Sequence, residues 1–380
     1  MVVLLTISSF AYSPGIFQNT FRAGGVLLTL CLFLLFLLRN SSLSRGCSRK
    51  NFSFNSIKIS PLLMLFIGFF FYLIVVSIIS AVIYNNHIML STWKSIELFV
   101  LYMMFLYIIL SSGDHQRLVG VVLSTVAYVT LLSVLLAIVS APQFPLIGYF
   151  PIINSNGLGF IAAFLIFYHQ SRSSGVLFFW TIILFLSMSK TAIFVTILIF
   201  SIQALNYLVR RRNVILIVLI FLIFLFTGDF LFNYFWVDWD DFSRLSGRIN
   251  IWTLYLDLYF SNQVELSSIL LGSGFGEARF LHEFVDGTNA TQMHNAYIEL
   301  LFSVGMLAAT IFTGFFILFF IRSIKYRKIT PSYVLPIMLL LLARFTTSSS
   351  LAFFTKDLIL FMCIVIILES SIKMYTYRAK

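Results

Sequence analysis

Long apolar runs follow one another along the chain, separated by short polar stretches, and neither a period of 3.6 nor a period of two dominates inside them. A helix of about 20 residues crosses the roughly 30 Å hydrocarbon layer of a bilayer. Barrel strands would show alternating segments of about ten residues, and those are missing from the pattern. The runs therefore predict membrane-spanning helices near 2–11, 22–38, 61–83, 95–111, 118–140, 154–169, 175–187, 191–208, 214–233, 294–320, 331–347 and 356–372. The segment 2–11 is the shortest. It is read as a retained first helix, because no basic region and small-residue cleavage site frame it.

Alternate connections sort by charge. One set (39–60, 112–117, 170–174, 209–213, 321–330 and the tail) holds 17 Lys/Arg, including Arg210, Arg211 and Arg212 and the run from Arg322 to Lys328. The other set holds seven: Arg22, Lys94, Lys190, Arg244, Arg248, Arg279 and Lys356. Basic loops stay on the cytoplasmic side, which puts both termini there. The expected fold class is all-α: a polytopic integral membrane protein of about twelve (11–12) spans. It divides into helices one to nine (1–233), a large outer loop (234–293) and helices ten to twelve (294–380).

The stretch 173–209 has to go out and come back, since Arg172 and Arg210 belong to the same side. Its outward limb of about 13 residues reaches only about 20 Å as a helix. The turn Ser187–Met188–Ser189–Lys190 is therefore expected below the outer surface, where irregular backbone needs a protein-lined or wet cavity. The large loop carries eight Asp/Glu against three Arg, with Trp236, Trp239 and Trp252 suited to an interface. Within it, Arg248–Phe260 reads as a short amphipathic helix. No internal repeat marks two matching transporter halves.

Composition agrees with this pattern: 60% of the 380 residues are hydrophobic and only 10% charged, and the mean hydropathy is +1.00. The net charge of +11 could suggest nucleic acid, but its spread over short loops gives it an orienting role instead. Cys31, Cys47 and Cys363 form no paired spacing, so neither a disulfide framework nor a zinc site is expected. His87, His115, His169 and His282 show no ligand spacing. Asp238, Asp240 and Asp241 read as a solvated acidic face rather than a metal cluster. The glycines from Leu271 to Gly276 lack the strand–helix context of a nucleotide loop and read as a tight turn.

Three basic groups fall near the outer face: Lys190 at the turn, Arg248 after Gly247, and His294 at the start of a helix. Each has a plainer reading. Lys190 can snorkel to headgroups, Arg248 can anchor the loop at the interface, and His294 can simply open its helix. Taken together, two fixed cations and a helix N-terminus would focus positive potential on one anion. A diphosphate at the lipid boundary fits, since arginine grips two phosphate oxygens at once. His294 could accept a proton from an attacking hydroxyl.

These motifs, in this order, resemble the O-antigen polymerase and O-antigen ligase superfamily of bacterial envelope glycosyltransferases. Ser187–Met188–Ser189–Lys190 is similar to that family's S-x-S-R turn, and Gly247–Arg248 with Trp252 to its G-R…W element. Leu271–Gly272–Ser273–Gly274 is similar to the L-G-x-G segment. His294–Asn295–Ala296–Tyr297–Ile298, with Gly305 beyond it, is similar to the H-N-x-Y-L helix start, and Asn154–Ser155–Asn156–Gly157 to an earlier N-x-N start. The resemblance covers about 154 to 310. It departs at Lys190, where the family has arginine: the charge is kept and the two-pronged grip is lost.

The resemblance implies a multi-pass enzyme of the bacterial inner membrane with a periplasmic loop, acting without metal or other cofactor. Its partner would be an oligosaccharide on undecaprenyl diphosphate, within membrane lipid and with no nucleic acid; a chain-length regulator is a further implied partner. Arg248 and Lys190 would bind the leaving diphosphate, with Arg244 and Arg279 as further cations. His294 would orient or deprotonate the acceptor, and Asn295, Tyr297 and Gly247 would support the site. A polymerase, taking the next lipid-linked repeat unit as acceptor, is the first expectation. A ligase acting on lipid A–core is the near alternative and a polysaccharide flippase the distant one.

Overall fold

In a computed structural model the described residues are 115–140, 155–170, 173–187, 189–210, 266–272, 295–347 and 354–378, with scattered positions in 64–79 and 252–261. Among them the chain is helix and turn, with no strand. The elements are α1 (His115–Ser140), α2 (Ser155–His169), α3 (Ser174–Leu186), α4 (Lys190–Arg210), α5 (Leu266–Leu271), α6 (Ala296–Lys325), α7 (Val334–Thr347) and α8 (Phe354–Arg378). Described positions in 64–79 are helical too. The expected helices 2–11, 22–38, 95–111 and 214–233 lie outside the described residues.

Among the described residues one helix, α6, is long and apolar enough to cross a membrane, and several shorter apolar helices accompany it. Two of the observed helices overrun their expected ends for one reason. The sequence reading stops a helix at the first cation, yet α6 runs on through Arg322 and Lys325, and α8 through Lys373 to Arg378. Cations in a last turn complement the partial negative charge of the helix end, so they extend a helix rather than stop it. At α7 the opposite happens. Pro331 opens a turn, with the Val334 N–H donating to the Pro331 carbonyl at 3.1 Å, and the helix begins three residues late.

Helix α2 is the axis of the bundle. From Gly157 to Tyr168 every residue is buried, as expected of a helix apolar all round. It packs against α1, α3, α4 and α7, while α7 also meets α4, α6 and α8. Gly159, Ala162 and Ala163 keep its surface low enough for neighbouring backbones to approach.

Phenylalanines join the C-terminal helices. Phe316 of α6 lies 5.0 Å from Phe361 of α8 and 5.5 Å from Phe345 of α7, ring centre to ring centre, and 4.8 Å from Phe312 in its own helix. Edge-on and offset arrangements of this kind are the favourable ones for rings. At the far end of α6 and α8, Arg322 donates from Nη2 to Oε2 of Glu369 at 3.1 Å. Two buried hydroxyls are satisfied within their own helices: Thr130 donates to the Val126 carbonyl at 2.7 Å and Thr196 to that of Ala192 at 2.6 Å.

Candidate functional site

The turn between α3 and α4 is built by its serines. Ser187 ends α3, and its hydroxyl donates back to the Leu184 carbonyl at 2.6 Å. The Ser189 N–H donates to Ser187 Oγ at 3.3 Å, and the Ser189 carbonyl accepts from the Ile193 N–H at 3.0 Å, starting α4. Both serines are buried, at 0% and 3% exposure. A turn with its polar atoms consumed locally can be buried without leaving orphaned groups. Lys190 is the first residue of α4, and only its backbone is described.

This turn rests on α2. Ser189 Oγ and Asn156 Oδ1 are 3.3 Å apart and hydrogen-bonded. A Cβ on Gly159, one turn further along α2, would collide with the Ser189 side chain and lie 2.6 Å from Ser187 Oγ. The N-x-N-G and S-x-S-K segments, 33 residues apart at this bond, thus form one piece of structure.

Beside the turn opens a small recess, about 30 Å³, lined by Asn156, Phe160, Ser189, Thr191, Leu340 and Arg344 among others. It is roughly the room two waters occupy. Arg344, half-buried near the end of α7, holds its guanidinium over the Phe160 ring, 5.6 Å from the ring centre. The sequence reading did not single out this residue. Of 25 Lys/Arg, the sorting of loops accounts for all but Arg344, because it lies inside an apolar span. The available signal was its position ten residues past Val334, at the helix end away from the basic loop 321–330.

A second convergence involves the large loop. Described positions in 252–260 are helical, within the amphipathic stretch expected at Arg248–Phe260. Tyr255 and Tyr259 are each 1% exposed, buried with Ile298 and Phe302 of α6 and flanked by Trp252, Leu256 and Ile269. Their rings meet Phe302 edge-on at 5.5 and 5.1 Å.

The loop chain then follows α5 to Gly272 (φ 79°), and this glycine docks on Gly305 of α6 (φ 76°, ψ 176°). A Cβ on Gly272 would lie 2.6 Å from Gly305 N, and one on Gly305 would lie 2.6 Å from Gly272 N and strike the Leu270 carbonyl. Only glycine tolerates that backbone conformation and that approach. Gly305 interrupts the helical ladder, and the loop uses the break. The Tyr259 hydroxyl donates to the Ile269 carbonyl at 2.5 Å and accepts from the backbone N–H of Met306. Burial pushes the Tyr255 and Tyr259 phenols above the ordinary value, with the Met306 bond pulling Tyr259 partly back.

Asn295 caps α6: its Oδ1 accepts from the N–H of Tyr297 at 3.0 Å and of Ile298 at 3.2 Å. That explains asparagine at this place, since a cap satisfies two donors a helix start leaves open. Glu299, in the same first turn, is buried at 4% exposure. Tyr297 is half-buried against the main core. Arg244, Gly247, Arg248, Arg279 and His294 lie outside the described residues, as do Asp238, Asp240 and Asp241. Among the described residues no group of His, Cys, Asp and Glu is arranged to hold a metal ion.

Compared with known proteins, the chain matches no family model and no curated relative.

Proposed function

We propose that this chain is a polysaccharide polymerase of the bacterial inner membrane, of the O-antigen type. It would transfer a glycan from undecaprenyl diphosphate to a hydroxyl of the next lipid-linked repeat unit, on the periplasmic side. One observation carries the reading: the motif segments, far apart in sequence, pair in space, Asn156 with Ser189 and Gly272 with Gly305. Segments that merely cap separate helices would have no reason to dock on one another. The wide exposure of Phe178, Phe194, Leu307 and Ile317, on three different helices, further supports immersion in lipid. Twelve spans, with both termini in the cytoplasm, are part of the proposal.

The acceptor hydroxyl oxygen attacks the anomeric carbon, and the bond from that carbon to the diphosphate oxygen breaks. The electron pair leaves on the diphosphate, and because attack comes from the face opposite the leaving group the configuration inverts. His294, one residue before the α6 cap, takes the hydroxyl proton. Arg248 and Lys190, with Arg244 and Arg279 of the large loop, neutralise the departing diphosphate. The packing of Tyr255 and Tyr259 onto α6 ties the segment that follows Arg248 to the helix that follows His294.

The test is chain extension by the purified protein in vesicles holding lipid-linked repeat units, with and without a chelator. Extended product, insensitive to chelation and lost in Arg248→Ala at unchanged protein level, is expected. Long product from Arg248→Ala removes its role, and no product from the parent protein removes the polymerase reading. A deletion strain separates the ligase: loss of a polymerase leaves lipopolysaccharide capped by a single repeat, whereas loss of a ligase leaves bare core.

A further inference from the structure

Where the resembled family has an arginine directly after S-x-S, this chain has Lys190, whose ammonium is a point charge without the planar fork. The recess beside the same turn holds an arginine from another helix. We infer that Arg344 is a diphosphate-binding residue, supplying from α7 the two-pronged grip that the α3–α4 turn lacks; this rests on the proposed function above.

Four features carry it. The guanidinium lies over the Phe160 ring, its carbon 5.6 Å from the ring centre. A guanidinium held there by cation–π attraction loses less freedom on gripping an oxyanion than a mobile one. Ser189 and Thr191, both hydroxyl-bearing, and the Asn156 amide line the same recess. Helix α4 begins at Lys190, directly between those two hydroxyls, so the open N–H groups of its first turn belong to the same locus. Finally, the recess is only about 30 Å³. Phosphate oxygens can seat at its mouth, beside these donors.

Arg344 also stands at the right end of its helix. Helix α7 starts just after the basic loop 321–330, and Arg344 lies three residues from its other end. In the proposed topology that end faces the periplasm, where the lipid diphosphate is presented. Snorkelling alone does not explain a guanidinium placed over Phe160, a residue of the central helix that is 2% exposed.

The experiment measures binding of undecaprenyl diphosphate to the full-length purified chain by native mass spectrometry, with undecaprenyl monophosphate and inorganic pyrophosphate as competitors. Parent protein, Arg344→Lys, Arg344→Ala and the double variant Lys190→Arg/Arg344→Lys are compared. Arg344→Lys is expected to weaken binding about tenfold or more, since a charge-assisted bond is lost while the charge stays. Arg344→Ala should weaken it further. The double variant should recover to within about threefold of the parent, because the fork returns at position 190. Should Arg344→Ala fail to fold, Arg344→Lys and its rescue decide alone.

Binding by both single variants within about twofold of the parent overturns the inference. So does a defect in Arg344→Lys that Lys190→Arg leaves uncorrected. Arg344-dependent binding of inorganic pyrophosphate, without binding of the lipid, also overturns it, because the recess then serves a free anion. A parent protein that does not prefer the lipid diphosphate to the monophosphate refutes instead the glycosyltransferase reading on which the inference stands.

Discussion

Replacing Gly305 with alanine should undock the large loop from α6 while leaving the bundle intact. Gly305 sits at φ 76° and ψ 176°, a region that is essentially glycine's own and costs other residues about 1–3 kcal/mol. The new methyl would also strike the Leu270 carbonyl and lie 2.6 Å from Gly272 N. Both are backbone atoms that cannot rotate away, and forced overpacking adds about 1–3 kcal/mol. The sum, about 2–6 kcal/mol, lowers the ratio of docked to undocked loop by at least about thirtyfold.

Chymotrypsin reads this directly. Tyr255 and Tyr259 are each 1% exposed when docked, so cleavage after them in the purified protein should accelerate in Gly305→Ala, and polymer extension should fall with it. Gly314→Ala in the same helix is the control. A methyl there meets nothing within 4 Å, and alanine should be neutral or stabilising by about 0.5–1 kcal/mol. Parental protection and parental extension in Gly305→Ala would refute the docking argument.

Two further perturbations address the same architecture. Tyr259→Phe removes the hydroxyl that bridges the Ile269 carbonyl and the Met306 N–H; chymotrypsin should then cut faster at Tyr255, with a loss of about 1–3 kcal/mol for the stranded backbone groups. Because burial raises the Tyr259 phenol from its ordinary 10.0, the bridge contributes in full below pH 10.0 and is lost only as pH climbs through the raised value; the protection from chymotrypsin should follow that course. Gly159→Ala drives a methyl into the Ser187–Ser189 turn and should lower thermal stability by about 1–3 kcal/mol. Gly120→Ala, with open space around it, should leave the melting temperature unchanged.

The sequence by itself determined the kind of structure this chain can form. Long apolar runs dictate helices, because a backbone among apolar groups must satisfy its own hydrogen bonds. The resulting expectations for 118–140, 154–169, 175–187 and 191–208 lie within a few residues of α1 to α4. Helix ends were less legible at α6 and α8, where cations in the last turn extend a helix that the hydropathy pattern cuts short. The motif residues were legible as types in an order, and Asn295, expected to support the site beside His294, is placed as the α6 cap by its hydrogen bonds.

Tertiary structure alone decided which of these segments meet. Nothing in the spacing of Gly272 and Gly305 announces that their backbones touch, because close approach depends on the path of a loop over a broken helix. Nor does local sequence distinguish Arg344 from a cation snorkelling at a helix end; that needed α2 to bring Phe160 beneath it and α4 to bring Ser189 and Thr191 beside it. Secondary structure follows from near neighbours and the surrounding solvent, whereas a site follows from contacts that only the packed bundle creates.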